Sequence, residues 1–196
     1  MRSHAAADVT FVRDGLTITL TPAKLGRGLL LALLVWWTIG LVPHPLDPSR
    51  SIDSFLHLIN LPFHEAGHLI WSVLGDFMRV LGGSLTQVLV PVICAVAFVR
   101  RDDLFAAGIA IWWAGESLID LGPYIADARA LQLPLLGGQT GQEVYGHDWE
   151  WLLETLGWLR YDRSLGLFAH WTGSVVMLVA LAGCAWLLVT PAFAAD

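Results

Sequence analysis

Charged residues are scarce in this chain. They make up 14% of its 196 residues, whereas about a quarter is usual for a soluble domain. Hydrophobic residues make up 56%, and the mean hydropathy is +0.61. The net charge is -6, and the chain has no basic cluster or aromatic–basic interleaving of the kind that binds nucleic acid. The composition therefore argues against a nucleic-acid partner and indicates an integral membrane protein in a lipid bilayer.

Cysteines are few, and a cleavage signal is missing. Cys94 and Cys184 lie in apolar runs without C-x-x-C spacing, which indicates buried free thiols rather than a redox or metal pair. The first apolar run, at 28–42, ends in PHPLDP without the small-residue cleavage site of a signal peptide. We therefore expect a retained anchor, and the compact chain without a cleavable targeting peptide favours a bacterial inner (cell) membrane.

Long apolar runs are present throughout. A membrane-spanning helix needs about 20 apolar residues, and five stretches qualify or nearly do: 25–42, 54–75, 83–99, 104–125 and 166–190. The third is short and would need a tilt or a thinner bilayer. The prediction is an all-α membrane protein of about five transmembrane helices. A single membrane domain at 25–196 follows a polar segment at 1–24, in which alternation around Asp14-Gly15 predicts a short β-hairpin.

The longest polar segment, about 132–165, lies before the last apolar run. Its piece HDWEWLLETLGWL has apolar residues near helical spacing, which predicts an interfacial amphipathic helix. The HDW residues could fold over a site as a lid, or simply begin that helix with Asp148 as its cap. With five spans and the N-terminus inside, eight of the eleven basic residues lie on the inner face, so the positive-inside rule predicts a cytoplasmic N-terminus.

The stretch LPFHEAGHLIW places two histidines and a glutamate within one of the apolar runs. Residues four apart share a helix face, so His64 and His68 can hold one ion while Glu65 reaches a water beside it. A catalytic zinc takes such ligands, and Glu65 then acts as general base. Unpaired ionisable groups in hydrocarbon cost about 2.5–3.5 kcal/mol each on insertion scales, so an idle motif is disfavoured here. We predict a Zn²⁺ site with catalytic Glu65.

The third zinc ligand has several candidates. Glu116, Asp120 and Asp127 form one stripe on the fourth apolar run. Asp120 lies at a depth similar to that of His68, whereas Asp127 lies about 10 Å nearer the surface if the helix stays straight. His147 and Asp148 of HDW are further alternatives.

Residues 54–130 resemble the site-2 protease family of intramembrane zinc metalloproteases. In that family one membrane helix bears H-E-x-x-H, and a later one bears Asn-x-x-Pro leading to a Leu-Asp-Gly aspartate that completes the zinc site. Here DLGPYIAD has Asp120 at the asparagine position and Pro123 at the proline, and Asp127 is one position short of the family aspartate. Ala126-Asp127-Ala128 replaces Leu-Asp-Gly. The resemblance implies a metalloprotease-like core and favours Asp127 as third ligand.

Three functions remain open at this point. The first is a zinc-dependent membrane metalloendopeptidase that cleaves a membrane protein or peptide in or near a membrane helix. The second is a non-enzymatic membrane protein with a structural or regulatory zinc site, which would have no need of Glu65. The third is a metal or proton carrier that uses Glu116 and Asp120, although no inverted repeat is visible. The substrate, the oligomeric state and any regulatory partner are not predicted.

Overall fold

The computed structural model of the protein describes residues 9–13 and 16–190. Two short strands, β1 (Val9–Arg13) and β2 (Leu16–Leu20), pair antiparallel, with Val9 opposite Leu20. The residues of the predicted turn, Asp14 and Gly15, lie outside the described residues. Six α-helices follow: α1 (Pro22–Leu41), α2 (Phe55–Trp71), α3 (Asp76–Val99), α4 (Leu104–Ala126), α5 (Asp148–Thr155) and α6 (Asp162–Val189).

Four segments of the described chain are long and apolar enough to cross a membrane, namely α1, α3, α4 and Leu159–Val189, which contains α6. Helix α2 has 17 residues, fewer than the roughly 20 that a span requires, so the predicted fifth span is not confirmed. Many side chains on the outer faces of α1 and α6 are large, apolar and exposed, among them Leu29, Trp36, Phe168 and Trp186. Such faces suit contact with lipid.

Helix α3 is longer than the run predicted at 83–99. It begins at Asp76 and has 24 residues, so it needs neither a tilt nor a thinner bilayer. Gly75 separates it from the preceding turn with a φ of 93°, a conformation that favours glycine. Gly82 and Gly83 lie inside the helix. A Cβ at Gly82 would lie 2.7 Å from the carbonyl oxygen of Gly67, so α2 and α3 approach closely there.

Helix α4 is at the centre of the bundle, and most of its residues are buried. It packs against α6 through facing glycines: a Cβ at Gly115 would lie 2.7 Å from the carbonyl oxygen of Gly173, and one at Gly122 would lie 3.2 Å from that of Gly166. Small residues at such positions let membrane helices approach closely. An apolar core from α1, α4 and α6 lies beside this contact, centred on Leu34, Trp112 and Met177.

The ends of the helices alternate, and this decides where α2 lies. The Arg27 guanidinium, near the start of α1, is 5.5 Å from the ring centroid of Phe105 at the start of α4. At the opposite end of the bundle, Gly122 near the end of α4 meets Gly166 near the start of α6. In the same part of α6, His170 Nε2 is 3.0 Å from the carbonyl oxygen of Val42, just after α1. Helices α1 and α4 therefore run in one direction, whereas α3, joined to α4 by four residues, runs in the other. Since α1 ends and α3 begins at the same end of the bundle, α2 enters and leaves there.

Candidate metal centre

His64 and His68 lie on one face of α2, as their spacing predicts, and their ring centroids are 4.9 Å apart. Ser54 begins the helix by accepting a hydrogen bond from the His57 N–H. Helix α3 packs against the two imidazoles, and its Gly83 has no side chain that would obstruct them. A Cβ at Gly83 would lie 2.6 Å from Nε2 of both rings.

Asp148 completes a three-residue cluster with these histidines. Its Oδ2 lies 3.0 Å from His64 Nε2 and 3.3 Å from His68 Nε2. The ligand atoms of the three side chains all lie within 4.8 Å of one another. The structure thus brings Asp148, one of the alternatives considered for the third ligand, to the histidine pair across 84 positions of sequence.

The second nitrogen of each imidazole is held by an oxygen acceptor. His64 Nδ1 lies 3.0 Å from Gln87 Oε1, and His68 Nδ1 lies 2.9 Å from the carbonyl oxygen of Arg79. Both oxygens can only accept, so each Nδ1 carries a hydrogen. In the neutral rings the two Nε2 lone pairs therefore face the Asp148 carboxylate. A cation between these three atoms would remove the repulsion of lone pairs from a carboxylate.

The donor set fits zinc. Two imidazole nitrogens and one carboxylate oxygen match the ligands of many catalytic zinc sites, which keep a fourth position open. Two ligand atoms that each lie about 2.0–2.1 Å from a tetrahedral zinc are about 3.3 Å from each other, close to the two distances to Asp148 Oδ2. The same donors also suit other divalent first-row metals.

Helix α5 positions Asp148 at its first residue. His147 caps this helix by accepting the Glu150 N–H at Nδ1, and the Asp148 N–H donates to the Tyr124 hydroxyl over 3.0 Å. Trp149 Nε1 donates to Ser84 Oγ on α3, while Leu152 and Leu153 are buried. The predicted amphipathic helix is thus a short helix docked on the bundle, and His147 rather than Asp148 is its cap.

The pKa values of His147 and Asp148, at the start of α5, are both shifted by their surroundings. Burial by itself would raise the pKa of Asp148, but the hydrogen bonds from the Nε2–H groups that His64 and His68 carry when they are protonated outweigh it and lower that pKa below its usual value. Burial lowers the pKa of His147, against the opposing attraction of the Asp127 carboxylate. Asp148 is thus held as a carboxylate and His147 as a neutral imidazole.

Asp127, the ligand favoured by the family resemblance, is not in the cluster. It follows the last residue of α4. Its carboxylate accepts hydrogen bonds from the backbone N–H groups of Gln132 at 3.0 Å and Leu133 at 2.9 Å. His147 Nε2 lies 3.6 Å from it. In this arrangement Asp127 shapes the loop that returns the chain to Asp148.

Asp120 and Glu116 also lie outside the cluster, in a polar network between α2, α3 and α4. Asp120 accepts hydrogen bonds from His57 Nδ1, from Asn60 Nδ2 at 3.1 Å and from Gln87 Nε2 at 2.8 Å. Glu116 Oε2 accepts from the same Asn60 amide, and its Oε1 is buried with no partner among the described residues. Among the described residues, Gln87 is the member of this network that hydrogen-bonds to a histidine of the candidate metal centre.

A cavity of about 610 Å³ opens beside the cluster. Glu65, His57, Tyr124 and the residues from Tyr145 to Asp148 are among those that line it. The side chain of Glu65 is exposed and makes no hydrogen bond within the described part of the chain. Leu136 and Tyr145, contributed by the loop between α4 and α5, also line the cavity and are largely exposed.

No protein-family model, curated protein or solved structure matches this chain. The motif in α2 and the geometry around it are therefore the features that bear on function. Three residues of that geometry were not singled out for the site by the sequence: Gly83, Tyr124 and Gln87. Gln87 is a polar residue within the apolar run at 83–99, and this was the one signal that it had a buried polar partner.

Proposed function

We propose that this protein is an intramembrane zinc metalloprotease, in which His64, His68 and Asp148 hold the zinc ion and Glu65 is the general base. The observation that carries the proposal is the convergence of three metal-ligating atoms beside an H-E-x-x-H glutamate that faces a cavity. A purely structural zinc site is usually closed by four protein ligands. Here three side chains and an adjoining cavity leave room for water and substrate.

Zinc, when bound, supplies Lewis-acid activation of water and of the scissile carbonyl. The protein's own groups do the rest. Glu65, free of other hydrogen bonds, takes a proton from the attacking water and returns it to the leaving amine. Tyr124 orients Asp148 through its backbone N–H. Gln87 and the Arg79 carbonyl keep the Nε2 atoms of the two histidines turned toward the ion.

The substrate would be a peptide bond in or near a membrane helix. Because α2 enters and leaves at one end of the bundle, we infer that it is a re-entrant segment and that four helices cross the membrane. The cavity then lies toward the membrane face at which α4 ends. A substrate helix would have to unwind near that face to reach Glu65, and the exposed Leu136 and Tyr145 offer apolar contacts along the way.

Four crossings change the charge count behind the orientation. With the chain ends on one face, the eleven basic residues divide six to five between the faces rather than eight to three, so the positive-inside rule no longer favours either side. We retain a bacterial inner membrane and a cytoplasmic N-terminus as proposals. Cysteine accessibility at positions 50 and 102, which would lie on opposite faces, tests the orientation: a cytoplasmic N-terminus requires labelling from outside at position 50.

The function is tested by Glu65→Gln. This variant keeps the ligands, so we expect it to retain zinc while losing cleavage of a membrane-helix reporter substrate co-expressed with it. His64→Ala should lose both. Glu116→Gln, at a buried carboxylate outside the cluster, is a matched control and should retain both. Wild type that purifies folded and without zinc would overturn the proposal. Unchanged cleavage or cellular phenotype in Glu65→Gln would favour a structural or regulatory zinc instead.

A further inference from the structure

We propose that Asp120 is a positioning residue that acts through Gln87 and sets which nitrogen of His64 is free to bind a metal. The inference rests on the proposed zinc site and adds a residue to it that lies one side chain away from the ligands. It concerns a proton position within a hydrogen-bonded chain that runs from α4 through α3 to α2.

The direction of this chain follows from the chemistry of its members. The Asp120 oxygen that faces Gln87 already accepts from Asn60 Nδ2, so the Gln87 amide turns its NH₂ group toward this acceptor, at 2.8 Å. Its carbonyl oxygen then faces His64 Nδ1 at 3.0 Å, and that nitrogen must be the donor. The neutral His64 ring therefore keeps its hydrogen on Nδ1 and presents the Nε2 lone pair to the cluster.

The alternative orientation of Gln87 is blocked. Turning the amide over would place its oxygen against the Asp120 carboxylate, where two acceptors would meet. Gln87 and Asp120 are both 3% exposed, so water has little room to relieve the mismatch. His57 Nδ1 and Asn60 Nδ2 hold Asp120 in place from α2, and the Trp113 indole N–H fixes Asn60 by donating to its Oδ1.

His68 provides an internal comparison. Its Nδ1 donates to the carbonyl oxygen of Arg79, a backbone group that cannot be turned over. The tautomer of His68 is therefore independent of Asp120 and Gln87. A change at Asp120 should affect one histidine of the pair and leave the other unchanged, whereas a general disturbance of the fold would affect both.

Asp120→Asn is the first test. An asparagine can donate to Gln87, which lets the amide turn over and donate to His64 Nδ1. His64 would then carry its hydrogen on Nε2. In the metal-free protein, ¹⁵N NMR of the histidine side chains should show this exchange for His64 and no change for His68. Zinc affinity, measured by competition with a chelator, should fall about 10- to 100-fold, as for other groups that orient metal ligands.

Gln87→Glu combined with Asp120→Asn is the rescue. The carboxylate introduced at position 87 can accept from His64 Nδ1 and from the amide introduced at position 120. We therefore expect the original tautomer and most of the zinc affinity to return. Gln87→Glu alone sets two carboxylates against each other and should not bind like wild type. Glu116→Gln, which changes the other carboxylate bonded to Asn60, should leave the His64 tautomer as it is.

Several outcomes would overturn the inference. One is an unchanged His64 tautomer in Asp120→Asn, and another is a double variant no better than the single one. If Asp120→Asn does not fold, Gln87→Leu removes the acceptor directly, and an unaltered His64 Nδ1–H signal there would equally contradict the proposal. If the wild-type protein binds no zinc, the proposed function is wrong. The NMR comparison would still decide whether Asp120 sets the tautomer of His64.

Discussion

Gly83→Ala should separate metal binding from folding. The added Cβ would lie 2.6 Å from Nε2 of both His64 and His68, about 0.8 Å inside the 3.4 Å at which ordinary contact begins. The imidazoles are side-chain groups and can swing away, but Zn–N distances tolerate only about 0.2 Å. At least one ligand would be lost. We expect zinc affinity to fall by about 100-fold or more, which is about 2.7 kcal/mol.

The stability of the metal-free protein should respond differently. Alanine is favoured over glycine inside a helix by about 1 kcal/mol, which offsets the cost of turning the two rings. Its Tm should therefore stay near that of wild type. Gly82→Ala is the matched control, because its Cβ would meet the Gly67 backbone and Trp71 rather than the histidines. That variant should lower Tm with or without zinc.

Chelator competition in detergent, followed by thermal unfolding with and without zinc, measures both quantities. If Gly83→Ala binds zinc within about threefold of wild type, a difference of roughly 0.65 kcal/mol, the imidazoles do not converge where α3 leaves room for them. That result would contradict the assignment of His64 and His68 as ligands of one metal ion.

Two further variants test groups beside the metal centre, and a third tests an ion pair between the segment after α4 and the start of α6. Tyr124→Phe removes the acceptor of the Asp148 N–H and should weaken zinc binding by about 3- to 10-fold; an affinity equal to wild type would contradict this role. Trp149→Phe removes the bond to Ser84 and should speed limited proteolysis between α4 and α5, whereas the same digestion rate as wild type would show that the bond does not hold α5. Arg129→Ala leaves the buried Asp162 without its ion pair and should lower the Tm, with Arg129→Lys closer to wild type; an unchanged Tm in Arg129→Ala would contradict this role.

Local patterns in the sequence were the most predictive. The four-residue spacing of His64 and His68 required only helix geometry, and apolar runs of sufficient length located α1, α4 and α6. Helix α2 was counted as a span because its apolar run was extended to residue 75. In the structure the helix ends at Trp71, and a short turn that ends at Gly75 leads into α3.

The third member of the cluster could not be chosen by such rules. Asp148 reaches His64 because a loop of about 20 residues after α4 is shaped by Asp127 and because Trp149, Leu152 and Leu153 dock α5 on the bundle. The spacing of the apolar residues in HDWEWLLETLGWL predicted a helix, but no periodic pattern indicated the surface on which it docks. The resemblance favoured Asp127 by its place in a motif, whereas in the structure that carboxylate is used by backbone N–H groups.

The hydrogen-bonded chain from Asp120 through Gln87 to His64 had a partial signal in the sequence. Intramembrane carboxylates are costly without partners, which marked Glu116 and Asp120 as important but assigned them to a possible third ligand. Their partners, Asn60 and Gln87, come from two other helices and depend on how α2 and α3 cross. The chain itself was not predicted, because the direction of its hydrogen bonds depends on neighbours that only tertiary packing supplies.

The most direct test of the account is the metal content of three purified proteins: wild type, Asp148→Ala and Asp127→Asn. We expect about one zinc ion per chain in wild type and in Asp127→Asn, and almost none in Asp148→Ala, because a site with only two histidines left binds far more weakly. Zinc retained in Asp148→Ala, or lost in Asp127→Asn from a protein that is still folded, would contradict the assignment of His64, His68 and Asp148 as the metal centre.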